Sequence, residues 1–233
     1  MLETFLDLYR DILKRKLTGL SDQQIRQRHV PSATTLGGLA KHLAAVEREW
    51  FQVVLARRPA EELDAPLPFK TTLRVAEALR LPATQLHEVM PARIARKGST
   101  RLLVPVADPR QLDTLAPNDD TLLSLGSELG TDGFFVFALN RSSDEWSTES
   151  RMFCPALGIP EDPVSGNAHA MLAAYLWDLG QFGKNSTTFI GRQGLQMKRP
   201  GQVSVKLEVD QGRLVAAHIG GTAVIVSEGT LAL

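Results

Sequence analysis

The sequence predicts an α+β fold in which a curled sheet wraps one central helix, preceded by an N-terminal helical hairpin. Three observations predict it. Residues 170–177 form an Ala- and Leu-rich run with almost no charge, the composition of a helix buried all round. Strand-like runs flank it, at 101–106 and 133–139 on one side and at 203–209 and 213–219 on the other. Residues 2–18 and 36–57, by contrast, repeat apolar side chains at the three-and-four spacing of amphipathic helices.

Taken in order, the first stripe carries Leu2, Phe5, Leu6, Tyr9, Ile12, Leu13 and Leu17, and a polar segment at 21–28 adds a short helical turn. Pro31-Ser32 breaks the chain before the second stripe, and the two stripes pair as an αα-hairpin that needs a partner surface. Residues 57–66 are polar and punctuated by Pro59 and Pro66, which marks a junction near residue 67. Beyond it come a short helix at 73–79 closed by Pro82 and a strand at 101–106. Pro105, near that strand's end, suggests an edge position. Asn118-Asp119-Asp120 caps a short helix within 116–130, and the apolar strand at 133–139 is covered on both faces. A polar loop at 140–149 follows. After the central helix, the strand at 187–191 leads into a turn at 192–194. Residues 203–209 then alternate as a half-exposed strand, and Gly220-Gly221 bends the chain between strands at 213–219 and 222–226.

Composition narrows the function classes. Hydrophobic content of 43% and charged content of 22% fit an ordinary globular protein. Lys and Arg (26) balance Asp and Glu (26), so no global field recruits nucleic acid or an anionic membrane. The single cysteine, Cys154, excludes an intrachain disulfide, suits a reducing, cytoplasmic compartment and reads as a buried small hydrophobe. Glu3, Asp7 and Asp11 are wrong for a secretory signal, and no apolar run approaches membrane-spanning length.

The chemistry concentrates in Glu161-Asp162-Pro163-Val164-Ser165-Gly166-Asn167-Ala168-His169. A helix opening on Ser-Gly-Asn presents unpaired amides and a positive dipole end, which suit a carboxylate ligand. Asp162 stands at the rim, placed for proton transfer. The same residues are also ordinary turn and cap chemistry. His169 reads as packing or support, and His87 and His218 have no partner at useful spacing.

This stretch resembles the Glu-Asp-Pro-Val-Thr-Gly-Ser/Asn-Ala signature of the phenazine-biosynthesis-like (PhzF-like) isomerase family, relatives of diaminopimelate epimerase. Residues 133–137, 151–159, 191–194 and 220–226 match in the same order, so that the resemblance covers about 67–233. It implies one lobe of the diaminopimelate-epimerase-like fold. It also implies a cofactor-free isomerisation or epimerisation that moves a proton between carbon atoms of a small carboxylate, in keeping with a biosynthetic role. Asp162 matches the acid/base of that lobe. Ser165, Gly166 and Asn167 match its substrate-binding donors, and Gln193 and Gly194 fall near the same pocket. No metal or other cofactor is implied. The family's first lobe carries a Gly-Asn-Pro run, a catalytic Glu and a Gly-His-Pro loop, none of which appears in residues 1–66. The expected activity is therefore impaired unless a first lobe comes from elsewhere.

Residues 1–62 resemble instead the opening of a DinB-like helical bundle, whose members bind a divalent metal through three histidines. His42 matches one ligand position and the other two are missing, so a complete metal site is not expected. Three readings stand at this point: a PhzF-like isomerase, a catalytically inactive hybrid or binding module whose hairpin supports a homodimer, and a DinB-like transferase fragment.

Overall fold

The computed structural model describes residues 10–11, 14–27, 35, 40, 62–140, 147–182 and 187–222. The second amphipathic stripe, His42 and the strand expected at 222–226 lie, wholly or nearly so, outside the described residues. Helix is present at 10–11 and 14–17 within the first stripe. A short helix, α1 (Asp22–Arg26), follows with a complete capping box between Ser21 and Gln24.

One nine-stranded sheet organises the rest. Its strands are β1 (Glu62–Leu63), β2 (Arg93–Lys97), β3 (Ser99–Pro105), β4 (Gly133–Asn140), β5 (Ser147–Cys154), β6 (Ile159–Asp162), β7 (Thr188–Gln193), β8 (Gly201–Asp210) and β9 (Arg213–Gly220). They lie in the order β1-β2-β3-β4-β5-β7-β8-β9, with β6 pairing β5 off that path. Two pairings are parallel, β3 with β4 and β5 with β7, and each needs a crossover helix. The first crossover carries α3 (Asp119–Leu129), capped by Asn118 and closed by Gly130 at φ +65°. The second carries α4 (Gly166–Asp178). A further helix, α2 (Phe69–Ala78), packs beside α3.

The two crossovers run on opposite faces, so β4 is buried on both. Phe134, Val136 and Ala138 face one core with α2 and α3, while Phe135 and Phe137 face the other with α4, as a period of two requires. Helix α4 touches β2 and β3 near one end of the sheet and β8 and β9 at the other. A sheet whose two ends both reach one helix has to curl around it. Residues 168–176 of α4 are accordingly all buried, which is why this run carries neither charge nor an amphipathic stripe.

Several expectations need correction. Strand β3 is not an edge: Pro105 is merely its last residue, where a missing N–H costs the ladder nothing, and β2 and β4 flank it. The 140–149 loop ends early, because residues 147–149 already belong to β5. Arg192 and Gln193 complete β7 rather than turning, and Gly194 begins the turn. Strand β2 adds to the expected set, since Arg-Ile-Ala-Arg-Lys carries three cations and a weak apolar pattern. Leu63, inside the expected linker, pairs with Ala95, so the sheet starts before residue 67.

Candidate active site

Strand β6 places two adjacent carboxylates on opposite faces of the sheet. Asp162 pairs with Met152, a residue of the α4-side core, and Glu161 turns to the other side. There Glu161 receives Arg151 through Nε (2.9 Å) and Nη2 (2.8 Å), while Arg151 Nη1 donates to the carbonyls of Leu112 and Leu115. The acidic pair of the motif thus divides into a structural anchor and a half-buried group on the helix side.

The turn after Asp162 is held by buried side chains. Gln193, 1% exposed, donates from Nε2 to the Asp162 carbonyl (2.5 Å) and accepts the Ser165 amide on Oε1 (3.1 Å). The Ser165 carbonyl meets His169 Nδ1 at 2.7 Å, and its hydroxyl accepts the Ala168 amide. All three polar groups of Ser165 are therefore engaged within the protein. The hydroxyl expected to serve a ligand also caps the helix, and as an acceptor there it keeps its own O–H to donate. Gln193 likewise braces the turn, and its Nε2 carries a second N–H beyond the one given to Asp162. The amides of Gly166 and Asn167 have no partner among the described residues. They are the donors that α4 presents outward.

Around these amides the β2–β3 hairpin comes close. Asn167 Nδ2 donates to the Lys97 carbonyl (3.4 Å), and Ser99 Oγ donates to Asn167 Oδ1 (3.3 Å). Val164 and Ile219 make an apolar rim, both partly exposed. Gly194 stands behind, at φ +84°, where a Cβ would meet the Arg199 and Pro163 carbonyls. The sequence-singled residues Asp162, Ser165, Gly166, Asn167, Gln193 and Gly194 do come together. Among the described residues no group of three or more His, Cys, Asp or Glu is placed to hold a metal.

His169 is fully buried, edge-on to Phe135, and fills the space that Gly191 leaves by having no side chain. Burial drives its pKa down to about 4, against the smaller opposing pull of the Ser165 hydrogen bond. It is neutral at pH 7, with the proton on Nδ1 donated to Ser165. A depressed folded-state pKa means that the unfolded chain binds the proton first. Stability is full above about pH 6.5 and falls as pH drops from there towards 4, by roughly 3 kcal/mol in total. Urea melts at pH 7 and pH 4.5 should show this loss, and a His169→Gln variant should show less of it. An unchanged slope in the variant would assign the acid sensitivity elsewhere.

Cys154 lies on the same face. Burial raises its thiol to about 12, Arg101 opposes that rise, and the charges of Asp162 and Asp132 add to it. It is an inert core thiol.

Comparisons with known proteins agree with this fold. The family model described as phenazine biosynthesis-like protein matches residues 24–229. That match begins inside the segment resembling a DinB-like bundle, and the DinB-like resemblance is not borne out. The chain is 28% identical over 218 residues to the uncharacterized isomerase YddE of Escherichia coli (strain K12), covering 92% of this chain and 70% of that one. It is 29% identical over 178 residues to the trans-2,3-dihydro-3-hydroxyanthranilate isomerase of Pseudomonas fluorescens, covering 75% and 59%. The crystal structure of a PhzF-family phenazine biosynthesis protein of Bacillus anthracis shares the fold, with a TM-score of 0.63 at 22% identity, covering 76% of this chain and 59% of that one. This chain thus spans 59–70% of the length of these proteins.

Proposed function

The chain belongs to the phenazine biosynthesis-like protein family, and from that premise we propose that it serves a cofactor-independent isomerase or epimerase acting on a small carboxylate. Asp162 transfers the proton, and the amides of Gly166 and Asn167 hold the anionic oxygens. One observation carries the reading: the Gln193 amide ties the backbone of Asp162 to that of Ser165, fixing the main chain that bears the carboxylate relative to the open end of α4. Proton abstraction beside a carboxylate builds negative charge on oxygen, and preorganised amides stabilise that charge most where water is excluded. A named relative is an isomerase, which supports the same reaction class.

A reaction of this type needs a second proton carrier on the far side of the carbon. We assign the nine-stranded sheet and its helices, from residue 62 onward, as the lobe that supplies Asp162, and the second carrier to a group that faces the open end of α4 from outside that lobe. Incubation of small hydroxy and amino acids in deuterium oxide tests the assignment. Asp162→Asn should lower deuterium wash-in by about 10²-fold, the low end of what a general acid or base contributes. Equal exchange in the two proteins would remove Asp162 from the chemistry.

A further inference from the structure

Arg101 is a buried cation with no part in the proton transfer proposed above. It lies on β3 between Ser99-Thr100 and the apolar run Leu102-Leu103-Val104, two residues before Leu103, whose side chain belongs to the α4-side core. Alternation therefore directs Arg101 to the same side as Asp162 and Ser99. Ser99 touches Asn167 at the open end of α4. The guanidinium folds back towards that end of the sheet. Its Nη1 donates to the Thr100 carbonyl at 2.9 Å and stands 3.7 Å from Asp132 Oδ2. Gly133, the register partner of Arg101, has no side chain, and Cys154 Sγ occupies the position beyond it. Met152, the register partner of Asp162, also borders Gly133, so Asp162 lies two strands over at the same end of the sheet.

The residue is only 8% exposed, yet Nε is buried without a partner and Nη2 has none among the described residues. A buried charged donor left unsatisfied is costly, on the order of a few kcal/mol. Nε and Nη2 form one edge of the guanidinium fork, the edge that grips a planar carboxylate with two parallel bonds. Asp132 does not fill it: it sits at the opposite, Nη1 side and is half exposed.

We propose that Arg101 binds a second anionic group of the ligand, so that the site takes small dicarboxylates in preference to monocarboxylates. One carboxylate rests on the Gly166 and Asn167 amides and the other on the Nε/Nη2 edge of Arg101. The inference rests on the proposed function for its first anchor, but not on Asp162 as proton carrier.

Thermal-shift titrations of the full chain with succinate and with butyrate, at matched ionic strength, test it. Wild type should bind succinate on the order of tenfold more tightly than butyrate, as a bidentate charged contact predicts. Arg101→Met should bring the two ligands to equal, butyrate-like affinity. Arg101→Lys keeps the charge without the planar fork; it should lose most of the preference and guards against a folding defect in the methionine variant. Asp162→Asn should keep the preference for succinate even where exchange is lost, which separates this inference from the catalytic one. Equal binding of the two acids by wild type, no binding of either, or a preference that survives in both Arg101 variants would overturn it.

Discussion

Replacing Arg151 by Met is expected to destabilise the fold by about 3–5 kcal/mol, the cost of leaving a buried partner charge uncompensated. The guanidinium and the Glu161 carboxylate have side chains 10% and 16% exposed, so water screens them little. Arg151 also satisfies the carbonyls of Leu112 and Leu115 and lies 4.9 Å over the Phe153 ring. Its loss would strand one carboxylate and two carbonyls together. For a chain of this size the midpoint of thermal unfolding should fall by roughly 10 °C. An Arg151→Met/Glu161→Gln double variant should recover part of the loss, because the stranded charge goes with it. If the single variant melts within about 2 °C of wild type, the pair is not the anchor of β6 that its geometry implies.

Gly194→Ala should cost on the order of 4 kcal/mol, the sum of a backbone and a packing penalty. At the left-handed φ of +84° any L side chain costs about 1–2 kcal/mol. The added Cβ would also stand 2.3 Å from the Arg199 carbonyl oxygen and 2.7 Å from that of Pro163. Both are main-chain atoms, so no flexible side chain can yield, and overpacking of this kind adds about 1–3 kcal/mol. Pro163 lies between Asp162 and the helix cap, and relief of the clash would move the proposed proton carrier. Urea denaturation and deuterium exchange should therefore fall together. A variant that loses stability while exchanging at the wild-type rate would separate the turn from the site.

Much of the architecture is legible in the residues, and the reasons differ from one element to the next. Helix α4 and strand β4 declare themselves because each is buried all round, and a long uncharged apolar run bounded by polar caps is stable only when covered on every side. Strand β2 is illegible for the opposite cause. Arg93, Arg96 and Lys97 suggest a solvated segment, yet Arg93 Nε reaches the Asp64 carbonyl and Arg96 pairs with the Asp64 carboxylate, contacts that span about thirty positions. The cluster of Asp162, Ser165 and Gly166 follows from proximity in sequence. What Ser165 and Gln193 do there does not, since a hydroxyl or amide does not reveal from sequence whether its partner is a ligand or the backbone. Arg101 carries only a faint signal, a lone cation ahead of Leu102-Leu103-Val104, because arginine at the start of a strand is common.

The alternation along β6 sets a parity rule for this family segment. Glu161 and Asp162 exchange roles if the chain between Cys154 and Glu161 gains or loses a single residue, for the anchor would then point at α4 and the proton carrier at Arg151. Length variation here is admissible only in pairs, or where the register shift beside Cys154 absorbs the odd residue. The eight positions from Cys154 to Glu161 thus act as a counting device, and drift in their number should be rarer than drift in their chemistry.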